Sequence, residues 1–563
     1  MSSEADRSFA AAWWVVDDLV RVGMEHACVS PGSRSTPLAL ALWRHPHVRV
    51  HVHLDERASA FFALGIAKAT GRPVGVACTS GTAAAELLPA AVEASMSRAR
   101  LVLMTADRPA ELRGVGANQT IDQPGLFGSY VRASVDAPAP GDAPDEATWR
   151  GLVLEATRVA MGPPPGPVHL NLPFREPLVP TPASLPASPP PAAGFEVSID
   201  AEPEELDALE RELTSAARGL ILAGSMRGSP RTLPELAERV GWPLIAEPTS
   251  DLRVPGALAA GQFLLGDGRF MASHVPEVVV QFGAAPTSRA GLELVRRAGR
   301  LVIVDPDRLV ADPHRRASRT IRAEPAGLVP ALLERLVPAE DASWLRTWRD
   351  ADGVAREAAD ALVQGWEEPY EGRIARDLAA WMPAGSTLVV GSSMPVRDLD
   401  AYMWPRDGLS VVANRGASGI DGFVSTALGV SATRPATAAL CGDLTLLHDV
   451  GSLVWSARCG LDCVFVVPNN DGGVIFSFLA QRDLPELEPL FTTPHGLDLA
   501  SVCAAAGAGH ARVERAVELA PALDGARGAG GVQIVEVPID REGNVRRHAE
   551  VHDAVAAALA AGG

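Results

Sequence analysis

Lysine is almost missing from this chain. Lys68 is the single lysine among 50 basic residues, which leaves 49 arginines. Pyridoxal and other Schiff-base mechanisms need a lysine in the pocket, so this scarcity argues against them. Cysteine is also sparse. Cys28, Cys78, Cys441, Cys459, Cys463 and Cys503 form no C-x-x-C pair and no zinc-like spacing with histidine, and they read as small apolar core residues of a reduced compartment. No G-x-G-x-x-G turn opens a helix after a strand, which removes the usual support for a nucleotide-binding oxidoreductase. The opening "MSSEADRSFAAAWWVVDDLVRVG" begins with acids and holds no apolar stretch long enough for a signal or a membrane span, so a cytoplasmic location is expected. Positive charge is in deficit, 50 basic against 68 acidic residues for a net −18, which argues against a nucleic-acid backbone as partner. A locally basic pocket for small anions stays open.

What is present is core-forming material: 47% of the 563 residues are hydrophobic and 21% charged. At roughly 100 to 200 residues per domain, the chain should hold three or four domains. From Ala27 to about Leu178, short apolar runs ("HACVS", "VRVHVHL", "PVGVACTS", "RLVLMTADRP") alternate with helical patterns, the signature of a parallel sheet covered on both faces. The alternation returns in "ARGLILAGS", "WPLIAEPTS", "VPEVVVQFG" and "GRLVIVDPD", and again in "STLVVGSS", "LSVVANR", "ATAALCGD", "DCVFVVPNN" and "GVQIVEVP". The expected fold class is α/β with three parallel-sheet domains. The first spans 1–180, a proline-rich linker 181–195, the second domain 196–345, a charged helical connector 346–370 and the third domain 371–563. Asp55 is placed to cap one helix of the first domain, and Thr79, Ser80 or Thr82 the next.

The chemistry concentrates in the third domain. One strand ends in Gly442-Asp443, and 27 residues after Asp443 another ends in Asn470, followed by Gly472. Open parallel sheets bind ligands at the carboxyl ends of their strands. An Asp carboxylate, an Asn amide oxygen and a backbone carbonyl near Gly472 are hard oxygen donors suited to Mg²⁺, with Mn²⁺ as a substitute, whose remaining positions go to water and phosphate oxygens. A diphosphate cofactor is the natural companion.

Gly442-Asp443 and Asn470 at this spacing, preceded by two further α/β domains, resemble the thiamine-diphosphate-dependent enzyme superfamily. The resemblance implies a pyrimidine-binding, a central and a diphosphate-binding domain, with thiamine diphosphate and Mg²⁺ as cofactors. In that superfamily a glutamate at a helix start contacts the cofactor's aminopyrimidine ring. Glu56, in "HLDERASAFFALG", occupies the matching place and is the expected catalytic residue. Gly442, Asp443, Leu444, Asn470, Gly472, Ile475 and Phe476 would contact the cofactor, with Asp443, Asn470 and Gly472 on the metal. "SPGSRSTPLALAL", "TADRPAELRGVGANQTIDQ", "SSMPVRDLD", "ANRGASGIDG" and "NNDGGVIFSFL" are similar to one branch, the carboligases of menaquinone biosynthesis that join 2-oxoglutarate to isochorismate with loss of carbon dioxide. This similarity implies isochorismate contacts from Ser33, Arg34, Arg108, Asn118, Gln119 and Arg289, and 2-oxoglutarate contacts from Ser393, Arg397 and Arg415. It also implies a homodimer, with further pairing of dimers left open. Another thiamine-diphosphate carboligase would share Glu56 and the metal motif, but Leu444 and the arginine set count against it. A non-catalytic binding protein on the same fold would be favoured by loss of Glu56 or Asp443, and both are present.

Overall fold

The computed structural model describes residues 3–141, 146–181, 199–307 and 311–562. The proline-rich linker lies largely in 182–198, outside the described residues. Among the described residues, seventeen strands form three sheets, every pairing parallel. The first sheet holds β1 (His26–Val29), β2 (Arg49–Val52), β3 (Val74–Cys78), β4 (Leu101–Asp107), β5 (Ser134–Asp136) and β6 (Val168–Pro173). The second holds β7 (Gly219–Ala223), β8 (Leu244–Ala246), β9 (Val278–Phe282), β10 (Arg300–Val304) and β11 (Ala317–Ile321). The third holds β12 (Ser386–Val390), β13 (Leu409–Ala413), β14 (Thr437–Leu440), β15 (Cys463–Asn469), β16 (Gly509–Arg512) and β17 (Val532–Pro538). Central strands such as β3, β4, β9 and β14 are buried along their whole length because helices cover both faces, which is why they read as unbroken apolar runs.

The first and third sheets share one topology. Their orders are β2-β1-β3-β4-β6-β5 and β13-β12-β14-β15-β17-β16, identical when each is counted from its own first strand. Each therefore has a switch point beside its first strand, between β1 and β3 and between β12 and β14, where connections depart in opposite directions and a crevice opens. Leu388 of β12 pairs with Val411 of β13 on one side and Ala438 of β14 on the other, fixing the register there.

One core joins these two domains. The helix Glu56–Thr70 starts where the Asp55 side chain accepts the Ala58 N–H at 3.1 Å, and it stops at Gly71 in the left-handed conformation. It packs along the helix Phe423–Ser431, with Phe61, Phe62 and Ile66 against Phe423, Val424 and Leu428 in one apolar cluster. Each fully buried phenylalanine contributes about 1.5–3 kcal/mol. The crossing is close because it is made of glycine: a Cβ on Gly65 would run into the Thr426 carbonyl, and one on Gly429 into the Phe62 carbonyl. The charged helix Ser343–Gln364 lays Trp344, Trp348 and Ala359 on the second sheet and packs beside the last helix, Arg541–Gly562. Among the described residues, no helix is long and apolar enough to cross a membrane.

Candidate active site

The loops after β12, β13, β14 and β15 surround a cavity of about 600 Å³. Its walls include Ser393, Arg397, Arg415, Gly442, Asp443, Leu444, Asn470, Gly472, Ile475 and Phe476, so all ten positions singled out in this domain come together. Two acids that the sequence did not flag, Glu371 and Asp398, line it as well.

At one end Asp443, almost fully buried, opens the helix Asp443–His448. Its carboxylate accepts the Leu444 N–H at 2.6 Å and the Gly472 N–H at 2.9 Å. Burial pushes this carboxyl above the ordinary carboxylate range, and the two N–H groups work against that shift. Asn470 donates its amide N–H to Glu371 Oε1 at 2.8 Å, while its Oδ1 is buried with no hydrogen-bond partner among the described residues. An orphaned buried acceptor beside a carboxylate is costly unless something supplies positive charge. The Gly472 carbonyl is not wholly free. It accepts the Val474 N–H at 3.1 Å, which leaves one lone pair. Gly472 itself has φ +136°, and a Cβ there would meet the Thr492 carbonyl. These oxygens fit a small hard cation that keeps water and phosphate oxygens as its other ligands.

His495 Nε2 lies 3.4 Å from Asp443 Oδ2. Its Nδ1 accepts the Leu497 N–H at 3.0 Å, so the ring proton of the neutral imidazole sits on Nε2, toward Asp443. His448 does not line the cavity; its carbonyl accepts Arg57 at 3.3 Å.

At the other end Arg397 and Arg415 share one wall. Arg397 donates to the Ser393 carbonyl at 2.6 Å, and its guanidinium pKa is lowered by burial and then by the charge of Arg415. Two cations held together in a buried cavity form an anion site. The backbone of the cavity loops is strained: Ser393 (φ +72°) and Ser418 (φ +61°) near the arginines, and Asp471 (φ +56°) next to Asn470, are left-handed without being glycine.

The first-domain positions gather at the equivalent place on their own sheet. Arg34, in the loop after β1, donates to the Phe174 carbonyl at 2.8 Å and to Glu176 at 3.0 Å. Arg108, just past β4, donates to Ser80 Oγ, and its pKa is lowered by burial and then by Arg34. Ser80 in turn donates to the Gln119 carbonyl at 2.9 Å, and Gln119 Nε2 returns a bond to the Ser80 carbonyl at 3.0 Å. Gln119 is a further left-handed non-glycine, at φ +52°. The helix starting at Thr82 has Gly81 at its cap position and no side-chain cap, so Ser80 braces this loop cluster instead of capping a helix. Ser33 and Asn118 are exposed beside these residues. Glu56 is half-buried; burial raises its carboxyl pKa, with the charges of Asp55 and Glu86 adding to the effect. None of these first-domain residues lines the third-domain cavity, and neither does Arg289, which is exposed at the start of its helix.

Two switch-point sites on matching sheets, one acidic and metal-competent, the other carrying Glu56, are the layout of a thiamine pyrophosphate enzyme. Family models match in that order: "Thiamine pyrophosphate enzyme, N-terminal TPP binding domain" over residues 10–126, "Middle domain of thiamine pyrophosphate" over 202–390, and "Thiamine pyrophosphate enzyme, C-terminal TPP binding domain" over 394–537. Proteins named 2-succinyl-5-enolpyruvyl-6-hydroxy-3-cyclohexene-1-carboxylate synthase are similar along nearly the whole chain. That of Thermobifida fusca is 45% identical over 98% of this chain and 99% of its own length, that of Chloroflexus aurantiacus 42% over 98% and 96%, and that of Geobacillus kaustophilus 40% over 98% and 98%. The chain belongs to this synthase family of thiamine pyrophosphate enzymes.

Proposed function

We propose that this enzyme is a transferase of menaquinone biosynthesis. It adds the succinic-semialdehyde unit of 2-oxoglutarate to isochorismate, releasing carbon dioxide and forming 2-succinyl-5-enolpyruvyl-6-hydroxy-3-cyclohexene-1-carboxylate. The observation that carries the reading is the pairing, in one cavity, of a hard-cation donor set (Asp443, Asn470) with an arginine pair (Arg397, Arg415). A diphosphate–metal group and a carboxylate-bearing substrate both find complementary walls.

Thiamine diphosphate, when bound, supplies the electron sink for decarboxylation. Asp443, Asn470 and the Gly472 carbonyl would hold Mg²⁺, and Ile475 and Phe476 give the cavity an apolar wall that excludes water. Arg397 and Arg415 hold and orient the 2-oxoglutarate carboxylate, assisted by Ser393. Arg108 and Gln119, locked through Ser80, present the isochorismate side, with Arg34, Ser33 and Asn118 around them. Glu56, whose pKa burial raises, would hold a proton for the cofactor's pyrimidine ring when that cofactor is bound.

Because Glu56 is absent from the cavity that holds Asp443, we infer that the site is completed by a second chain. The homodimer is supported by exposed apolar side chains near β2 and the helix Val450–Ser456, namely Trp43 (67%), Leu54 (69%) and Val454 (56%). A cytoplasmic location agrees with six free thiols.

The test is product formation followed by mass spectrometry with thiamine diphosphate, Mg²⁺, 2-oxoglutarate and isochorismate, each omitted in turn. Product that requires all four supports the reading. Carbon dioxide release from another 2-oxo acid, with isochorismate untouched, would retain the cofactor chemistry and refute the substrates.

A further inference from the structure

The lone lysine sits at a junction. Lys68, in the last turn of the helix Glu56–Thr70, donates from Nζ to Glu93 Oε1 at 2.7 Å, to the Ala413 carbonyl at 2.8 Å and to Asn414 Oδ1 at 3.1 Å. Three acceptors converge on one point, and an ammonium has three protons to offer. A planar guanidinium spreads its donors and cannot satisfy that geometry, which explains a lysine here in a chain whose other 49 basic residues are arginine.

Glu93 completes the junction. Its carboxylate accepts the Gly416 N–H at 3.0 Å and the Ala417 N–H at 2.6 Å. Burial would raise this acid, but Lys68 and the two N–H groups outweigh it and hold the carboxyl below its ordinary range. Asn414 is tied further, with its amide on Thr426 Oγ1 at 3.0 Å and its carbonyl accepting Ser392 Oγ at 3.3 Å. Gly416 lies so close to the helix Leu88–Ser97 that a Cβ there would press on the Glu93 carbonyl.

Every residue of this loop from Ala413 to Ala417 is thus pinned except the one between Asn414 and Gly416, which is Arg415. Its guanidinium makes no hydrogen bond or ion pair with a described residue and lines the cavity. We propose that the Lys68–Glu93 pair, supplied by the first domain, is a positioning element that fixes Arg415 in the third-domain cavity of the same chain and thereby sets the affinity for 2-oxoglutarate. This rests on the reading of Arg415 as a carboxylate anchor.

The experiment uses full-length holoenzyme carrying Lys68→Met, Lys68→Arg, Glu93→Gln, Arg415→Ala, or Lys68→Met with Arg415→Ala. Loss of a charge-assisted anchor predicts a KM for 2-oxoglutarate raised about tenfold or more in each single variant, Lys68→Arg included. The isochorismate KM and the thiamine diphosphate affinity, read by tryptophan fluorescence, should change by less than about twofold, because the residues holding them are untouched. Adding Lys68→Met to Arg415→Ala should cost little more, since the lysine acts through that arginine. Faster hydrogen exchange at 413–417 in Lys68→Arg and Glu93→Gln gives a second readout if Lys68→Met folds poorly. If Arg415→Ala raises the KM while the Lys68 and Glu93 variants leave it unchanged, or if the double variant shows full additivity, the positioning role is overturned. If Arg415→Ala leaves the KM unchanged, the anchor reading falls and takes this inference with it.

Discussion

Glu371 Oε1 accepts the amide N–H of Asn470 at 2.8 Å, and this bond decides which way the Asn470 side chain presents its oxygen. The other Glu371 oxygen accepts Asn544 Nδ2 at 2.8 Å, so the acid is itself fixed. Beside it His548 donates from Nδ1 to the Asn544 carbonyl and meets Asp398 through Nε2, each at 2.8 Å; burial works to lower the imidazole pKa, but the Asp398 carboxylate outweighs it and raises it. Glu371 therefore stands behind the amide proposed to face the metal, much as a carboxylate stands behind a ligating histidine.

Replacing Glu371 with alanine frees the Asn470 amide to turn. Metal affinity should fall about tenfold to a hundredfold, with the 2-oxoglutarate KM at saturating metal little changed. Titrating Mg²⁺ against cofactor binding in Glu371→Ala checks this. An unaltered titration would assign the acid to packing alone.

Arg34 and Arg108 predict different outcomes. Arg34 is engaged by the Phe174 carbonyl and Glu176, whereas among the described residues the only side-chain hydrogen bond of Arg108 goes to Ser80. Arg108→Leu should raise the isochorismate KM by roughly ten- to a hundredfold, the cost of one charge-assisted contact, and leave the 2-oxoglutarate KM in place. Arg34→Leu should lower thermal stability as well. Steady-state kinetics and thermal melts on both variants separate the two roles.

Gly65 and Gly151 make a matched pair of helical glycines. A Cβ at Gly65 meets the Thr426 carbonyl of the facing helix, while one at Gly151 meets nothing. Gly65→Ala should destabilise by about 1–3 kcal/mol through overpacking. Gly151→Ala should stabilise by about 0.5–1 kcal/mol through helix propensity and a less flexible unfolded chain. Denaturant melts read both, and opposite signs are expected.

Glu247 is buried, and burial, with the charge of Asp400 added, raises its carboxyl from an ordinary 4.5 to about 8. Between those values the folded chain keeps this proton while the unfolded chain releases it, so the group's contribution to stability falls as pH rises. Glu247→Gln should flatten the decline in denaturant midpoint between about pH 5 and about pH 8 and be the more stable form at the upper end. A steeper decline in the variant would reverse the sign argued here.

Much of this architecture was legible in the residues because burial on both faces leaves central strands as unbroken apolar runs. Strands β5, β6, β11 and β16 are missing from the runs picked out above; β6, "VHLNLP", is buried throughout, but His169, Asn171 and the closing proline break its apolar run. "SVD", "ASRTI" and "GHAR" each close one margin of a sheet, are partly exposed and carry no such run. The shared strand order of the first and third domains was invisible for another reason: it is a property of connections, and dissimilar side chains realise it. Gly442-Asp443 and Asn470 stood out because polar residues end buried strands. Glu371 did not, because its partner Asn470 lies 99 residues away. Lys68 was conspicuous by its rarity, yet its acceptors at Ala413 and Asn414 lie 345 and 346 residues on and are visible only once the chain is folded.

The central claim is that Glu56 of one chain completes the Asp443 cavity of another. Glu56→Gln and Asp443→Asn enzymes, each inactive alone, would be mixed under conditions that exchange subunits, and product formation measured. A site shared between chains predicts recovered activity, because each mixed dimer then holds one site with both native residues. No recovery, with mixed dimers shown to form, would contradict the claim and place Glu56 and Asp443 in one site of a single chain.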